Sequence, residues 1–318
     1  MRVTKRTHVR YYYSRKKQLY KYNLDMKKQF FMVVLGAVAL MTVPTSCKRM
    51  AQSIAESARE EMRGENGKQP RYLRDSEEWG KVIQQEFQLE DFEKVKTGGL
   101  LDVVFTQGED FSVIAEGNEK VLPLYDFSVE EGTLVVTTKK EKIRNIPFMR
   151  LLVTAPTLTN IDIMGVGDVM MRQPVEFFND LDIHISGTGD IEIDSLLCDA
   201  FSAEISGAGD IEVRRLQCQS ADVRMSGVGN TDVKKITCQE DAAFIVTGAG
   251  DVDTKVKCRN LTVEVTGDGE ANIKCESEHV TATVGGTGNI DLEGTTHNIV
   301  VNKSGLGNIS TRQLRIVQ

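Results

Sequence analysis

The feature that most constrains the fold is a short motif, Gly-x-Gly followed by Asp or a close relative, which returns eight times in the second half of the chain. It starts at Gly165-Val166-Gly167-Asp168 and recurs as Gly187-Thr188-Gly189-Asp190, Gly207-Ala208-Gly209-Asp210, Gly227-Val228-Gly229-Asn230 and Gly248-Ala249-Gly250-Asp251. Gly267-Asp268-Gly269-Glu270, Gly286-Thr287-Gly288-Asn289 and Gly305-Leu306-Gly307-Asn308 complete the series. Each step is 19–22 residues, and the motif holds sixteen of the 27 glycines, so chance does not compete. A period near 20 residues signals a solenoid, in which each repeat buries its apolar side against its neighbours.

The flanks alternate with period two: Phe201, Ala203 and Ile205 before one motif, Ile211 and Val213 after it. Apolar, β-branched residues at every second position, broken by glycine, read as short half-buried strands. The expected fold is all-β: a single-stranded β-helix of about eight coils over 156–318, right-handed by preference. The glycines are read as corner residues at positive φ, with Asp or Asn hydrogen-bonding the turn backbone. Calcium held by the Asp column is the alternative; against it, the period is wrong for calcium-binding nonapeptide rolls and three of the eight positions are Asn.

Two further columns follow from the period. Glu192, Glu212, Asp232, Asp253 and Asp291 stand two residues beyond the motif's acid and share its face. Arg214, Lys234 and Lys255 follow them, close enough for cross-coil pairing. Cys198, Cys218, Cys238 and Cys258 are each 20 residues apart, with Cys275 after them, and are read as one inward packing ladder of free thiols. No two cysteines have the close spacing of zinc ligands.

Ahead of the repeats the chain changes character. Residues 1–47 hold ten Lys/Arg and one acid, whereas the remainder is strongly acidic, which disfavours nucleic acid as a partner. Residues 1–25 read as an over-long start or extended basic region. Residues 26–46 read as a signal peptide, with an apolar run from Phe30 to Val43 too short to span a membrane comfortably. Cys47 after Thr45-Ser46 resembles a lipobox cysteine, and residues 47–79 a polar tether. The anchor implies the cell envelope, by inference the outer membrane; Lys48-Arg49 in place of an acidic run leans it towards the periplasm. Residues 80–155 keep the alternation without the motif and are read as an irregular N-terminal β cap over the first coil.

Asp91-Phe92-Glu93-Lys94-Val95, then Leu101-Asp102-Val103-Val104-Phe105-Thr106-Gln107-Gly108, Glu131-Gly132-Thr133-Leu134 and Thr154-Ala155-Pro156-Thr157-Leu158, followed by the repeats, resemble the bacterial head GIN domain family of auto-transporter adhesins over residues 80–318. The resemblance implies an envelope lipoprotein with a β-helical domain and no assigned catalytic residues; no cofactor is expected. The function expected is adhesion or scaffolding through an envelope or surface protein or glycan. Two alternatives stand beside it: a calcium-assisted polysaccharide-active enzyme on a β-helix, and an envelope signalling accessory. Against the enzyme, His184, His279 and His297 share no repeat position, and aromatics make up only 6% of the chain.

Overall fold

The computed structural model describes residues 75–139 and 146–318, all within the unit Val33–Gln318. The start region, the signal peptide, Cys47 and residues 48–74 of the tether lie outside the described residues.

The described chain is a β-solenoid of about eight turns. Each coil of the repeat region supplies three strand segments, and each segment stacks in parallel on its equivalent in the next coil. One ladder runs through Asn160–Ile163, Leu181–Ile185, Ala200–Ile205, Ser220–Met225 and Asp241–Val246. A second, past the glycine corner, runs through Val169–Met171, Ile191–Ile193, Ile211–Val213 and Thr231–Cys238. A third contains Val175–Glu176, Leu196–Leu197 and Leu216–Cys218. Further along, the segments fuse into the long strands Val252–Val265, Glu270–Val284 and Asn289–Lys303. Period two does what it should: Ile161, Ile183, Ala203, Val223, Phe244, Val263 and Ala282 form one buried column. Outward positions alternate with them.

The ladder starts earlier than residue 156. Lys94–Thr97 and Leu101–Gln107 already form a coil beneath Asn160–Ile163 and Val169–Met171. Below it lie Thr133–Thr138 and Met149–Ala155, also parallel. The chain therefore lays down the 94–107 coil first, passes beneath it, and returns above it. Below the 133–155 coil lie the antiparallel closing strands. Ser112–Asn118 pairs with Met149–Ala155, Val82–Phe87 with Ser112–Asn118, and Tyr125–Glu130 with Thr133–Thr138. Residues assigned to the tether's end are already ordered: Asp75 Oδ1 accepts the Val82 N–H at 2.8 Å, and Trp79 packs on the core.

The reason for the glycines differs from the one expected. None of the motif glycines from Gly165 to Gly227 adopts positive φ. What excludes a side chain is the coil beneath. The Gly187 carbonyl points along the stack and accepts the Ala208 N–H at 3.1 Å. A Cβ on Gly207 would sit 1.7 Å from that oxygen, and a Cβ on Gly209 1.8 Å from the Gly189 oxygen. The same clash recurs from Gly165, against Gly99, up to Gly307, against Gly288.

Gly209→Ala is therefore expected to cost about 3 kcal/mol or more, since two coils must separate to admit a methyl group. Gly98→Ala, whose new Cβ would find only Thr137 Cγ2 at 3.8 Å, should stay within about 1 kcal/mol of the parent. Chemical unfolding of both variants checks this; equal midpoints would remove coil clearance as the cause.

Candidate functional site

The corner brings the motif's acids together, though not as turn caps. Each Asp carboxyl of the ladder reaches the next coil. Asp102 Oδ1 accepts the Asp168 N–H at 3.1 Å, Asp168 Oδ1 the Asp190 N–H at 2.9 Å, and Asp190 Oδ1 the Asp210 N–H at 2.8 Å. Asp210 does the same for Asn230 at 2.7 Å, Asp251 for Glu270 at 2.9 Å and Asn289 for Asn308 at 2.9 Å. The expected bond to the residue's own turn is replaced by a ladder along the stack, because the corner backbone is already paired coil to coil. Asp102 heads the ladder and was not singled out from sequence. Its corner, Gly98-Gly99-Leu100-Leu101-Asp102, keeps only part of the motif.

At the N-terminal end of this ladder the acids are buried: Asp102, Asp168 and Asp190 are 1%, 5% and 6% exposed. Burial pushes the Asp168 carboxyl well above the usual carboxylate range, and the neighbouring Asp102 pushes it further. Asp190 is raised in the same way, by burial first and then by Asp168 and Asp210. Asp210 is half-buried, and Asn230, Asp251 and Asn289 are exposed. Among the described residues no group of three or more His, Cys, Asp or Glu is placed to hold a metal ion. The ladder's arrangement is that of a backbone brace.

The second acidic column is continuous in register, Glu192–Glu212–Asp232–Asp253–Asn272–Asp291. A column of cations, interrupted by Asp194 and Glu293, runs beside it. Arg172 lies 3.6 Å from Glu192, Arg214 3.3 Å from Asp194 and 3.7 Å from Glu212, and Lys274 3.5 Å from Glu293. Lys234 pairs with Asp232. Exposed pairs of this kind contribute little to stability, about 0–1 kcal/mol each. Their consequence is geometric: a face of alternating charge with the coil spacing of about 4.8 Å.

The histidines do not converge. His184 stacks between Asp162 and Glu204, 3.7 Å from the Glu204 carboxylate, while His279 stands in a different column between Asn260 and Asn298.

The thiol column holds for Cys198, Cys218, Cys238 and Cys258, all buried and free. Cys218 and Cys238 are register partners with Sγ atoms 3.1 Å apart. Cys275 departs from it. The position above Cys258 belongs to Ser277, whose Oγ lies 3.4 Å from the thiol, and Cys275 sits above Val256. Burial pushes the Cys198 thiol up to about 12 and those of Cys258 and Cys275 to about 11, so they stay protonated and unreactive.

A family model described as "Putative auto-transporter adhesin, head GIN domain" matches residues 91–259 and 242–318. Similar solved structures include a putative adhesin from Bacteroides fragilis, 24% identical with a TM-score of 0.58, covering 72% of this chain and 96% of that one. A putative adhesin from Parabacteroides distasonis is 19% identical with a TM-score of 0.67, covering 73% and 97%. A protein from the same organism described as a putative lipid binding protein is 18% identical with a TM-score of 0.64, covering 72% and 96%. At these identities the likeness is one of fold. No curated protein matches the chain.

The buried acids generate a pH test. A carboxyl whose pKa is raised on folding makes the folded state hold the extra proton between the unfolded value, near 4, and the folded one. Its contribution is greatest below that window and is lost as pH rises through it. Asp190→Asn keeps the oxygen acceptor and removes the titration. The variant is expected to match the parent near pH 4 and to exceed its melting temperature increasingly towards pH 8. A difference that does not change with pH would show that Asp190 titrates alike in both states.

Proposed function

The chain belongs to the head GIN domain family, and on that premise we propose that it is a non-enzymatic, lipid-anchored envelope protein whose solenoid face binds a surface protein or glycan. The observation that supports this reading most is the in-register face of Glu192, Glu212, Asp232 and Asp253 flanked by Arg172, Arg214 and Lys234. Such a face offers many equivalent weak contacts, suited to an extended ligand engaged by several coils at once. Anchoring rests on Cys47 and the apolar run before it. A periplasmic facing rests on Lys48-Arg49.

Two measurements test the reading. Cys47→Ser should move the protein from the membrane to the soluble fraction, and an unchanged distribution would remove the lipid anchor. Separately, reversing Glu212 and Asp232 to Lys should cut retention on immobilised envelope glycans and proteins at least tenfold without lowering the melting temperature. Binding that survives the reversal would place the contact on another face.

A further inference from the structure

The second ladder is one continuous sheet with two outer strands. At one end Asn308–Ile316 pairs with Asn289–Lys303. At the other, the ladder passes through Leu101–Gln107, Met149–Ala155 and Ser112–Asn118 to Val82–Phe87. Among the described residues, each outer strand is hydrogen-bonded as a ladder on one side only. Two antiparallel steps separate Val82–Phe87 from the parallel stack, so it points the same way as Asn308–Ile316. An outer strand of one copy laid against the opposite outer strand of another would thus continue the ladder in parallel, as every coil-to-coil step of the repeat region does.

The charges of the two ends are opposite. Residues 75–93 carry seven acids and the single Lys81, with Glu86 exposed in the outer strand itself and Glu90, Asp91 and Glu93 just after it. Residues 294–318 carry Lys303, Arg312 and Arg315 and no acidic side chain. Arg312 and Arg315 stand exposed on the outer strand. Each end also exposes apolar surface: Ile83 at 38%, Ile316 at 64% and Val317 at 41%. Charged edges normally prevent strand pairing. Here that holds for like ends, which repel, while the unlike pair attracts, so the same residues select one pairing over two others.

We propose that this protein assembles head to tail, the Asn308–Ile316 strand of one copy pairing with the Val82–Phe87 strand of the next. The contact is heterologous, and assembly continues unless its rotation closes a ring. It is electrostatically selected between exposed groups, so salt weakens it.

The test is sedimentation velocity and electron microscopy on the full chain in a neutral detergent, at low and high salt across a wide concentration range. The expected result at low salt is a mass that grows with concentration without a plateau at dimer, collapsing in high salt. Arg312→Glu with Arg315→Glu, surface changes checked by circular dichroism and melting temperature, should leave the protein monomeric. That variant retains its acidic end, so added at a minor fraction to the parent it should shorten the assemblies as a chain terminator. Glu86→Lys, from the opposite edge, should weaken assembly at least severalfold. A parent that stays monomeric at low salt overturns the proposal; this is also the result if the basic residues 48–74 cover the acidic edge. A mass that plateaus at dimer, or a charge-reversed variant that assembles like the parent, overturns it as well.

Discussion

The whole architecture depends on one close approach. At each corner a glycine carbonyl points along the stack, accepts the N–H of the next coil's middle corner residue, and leaves under 2.3 Å for anything on the glycine above it. A coil cannot slip by one residue, because the neighbours of the corner glycines, Gly285 beside Gly286 apart, carry a Cβ that would strike that oxygen. The corner thereby pins register for both flanking strands at once. A slip would also turn every inward side chain outward. Clearance and burial thus enforce the same alignment.

Pinned register means that like stacks on like, and the result depends on residue type. For Ile, Val and Phe it gives a dry continuous core, and for cysteine a column of small apolar groups. For carboxylates it is unfavourable, and more so the deeper the column lies. The Asp102–Asp168–Asp190 segment meets this by giving each acid a backbone N–H from the next coil and by raising the carboxyl pKa values of Asp168 and Asp190. Further along, Asn replaces Asp at 230, 289 and 308, keeping the acceptor without the charge. The outward acid column instead faces solvent and meets its like-charge repulsion with the adjoining Arg and Lys residues.

The repeat, the strand alternation, the inward apolar columns and the first four thiols were legible because each rests on spacing alone. The register of Cys275 was legible too and was misread: the local step is 19, and 19 residues beyond Cys258 is Ser277. Other features were hidden for physical reasons. The coils at 94–107 and 133–155 carry no full motif and are stacked out of chain order, an arrangement that periodicity cannot express. Lys94–Thr97 is too short for alternation to show, whereas Tyr125–Glu130, which alternates Tyr125, Phe127 and Val129 with polar residues, was legible and was passed over. Glycine's role was misassigned because a tight corner and a close backbone approach leave the same residue in the sequence. Only the distance to the neighbouring carbonyl separates them.

A solenoid must also end, and the two ends of this one do so differently. The N-terminal end reverses strand direction and covers its last coil with the Phe87–Phe127 stack and the closing strands. The C-terminal end changes composition. The buried column of Val265 and Val284 continues into Lys303, and the column of Val263 and Ala282 into Val301, which is 48% exposed. A charge placed where the core column would continue stops a further coil from packing there as an apolar layer, without closing the backbone edge beside it. Covering moves the N-terminal edge outward to Val82–Phe87, which still has one open side, whereas charging leaves the edge where the repeats end. The C-terminal edge therefore keeps its capacity to pair and is selective by charge.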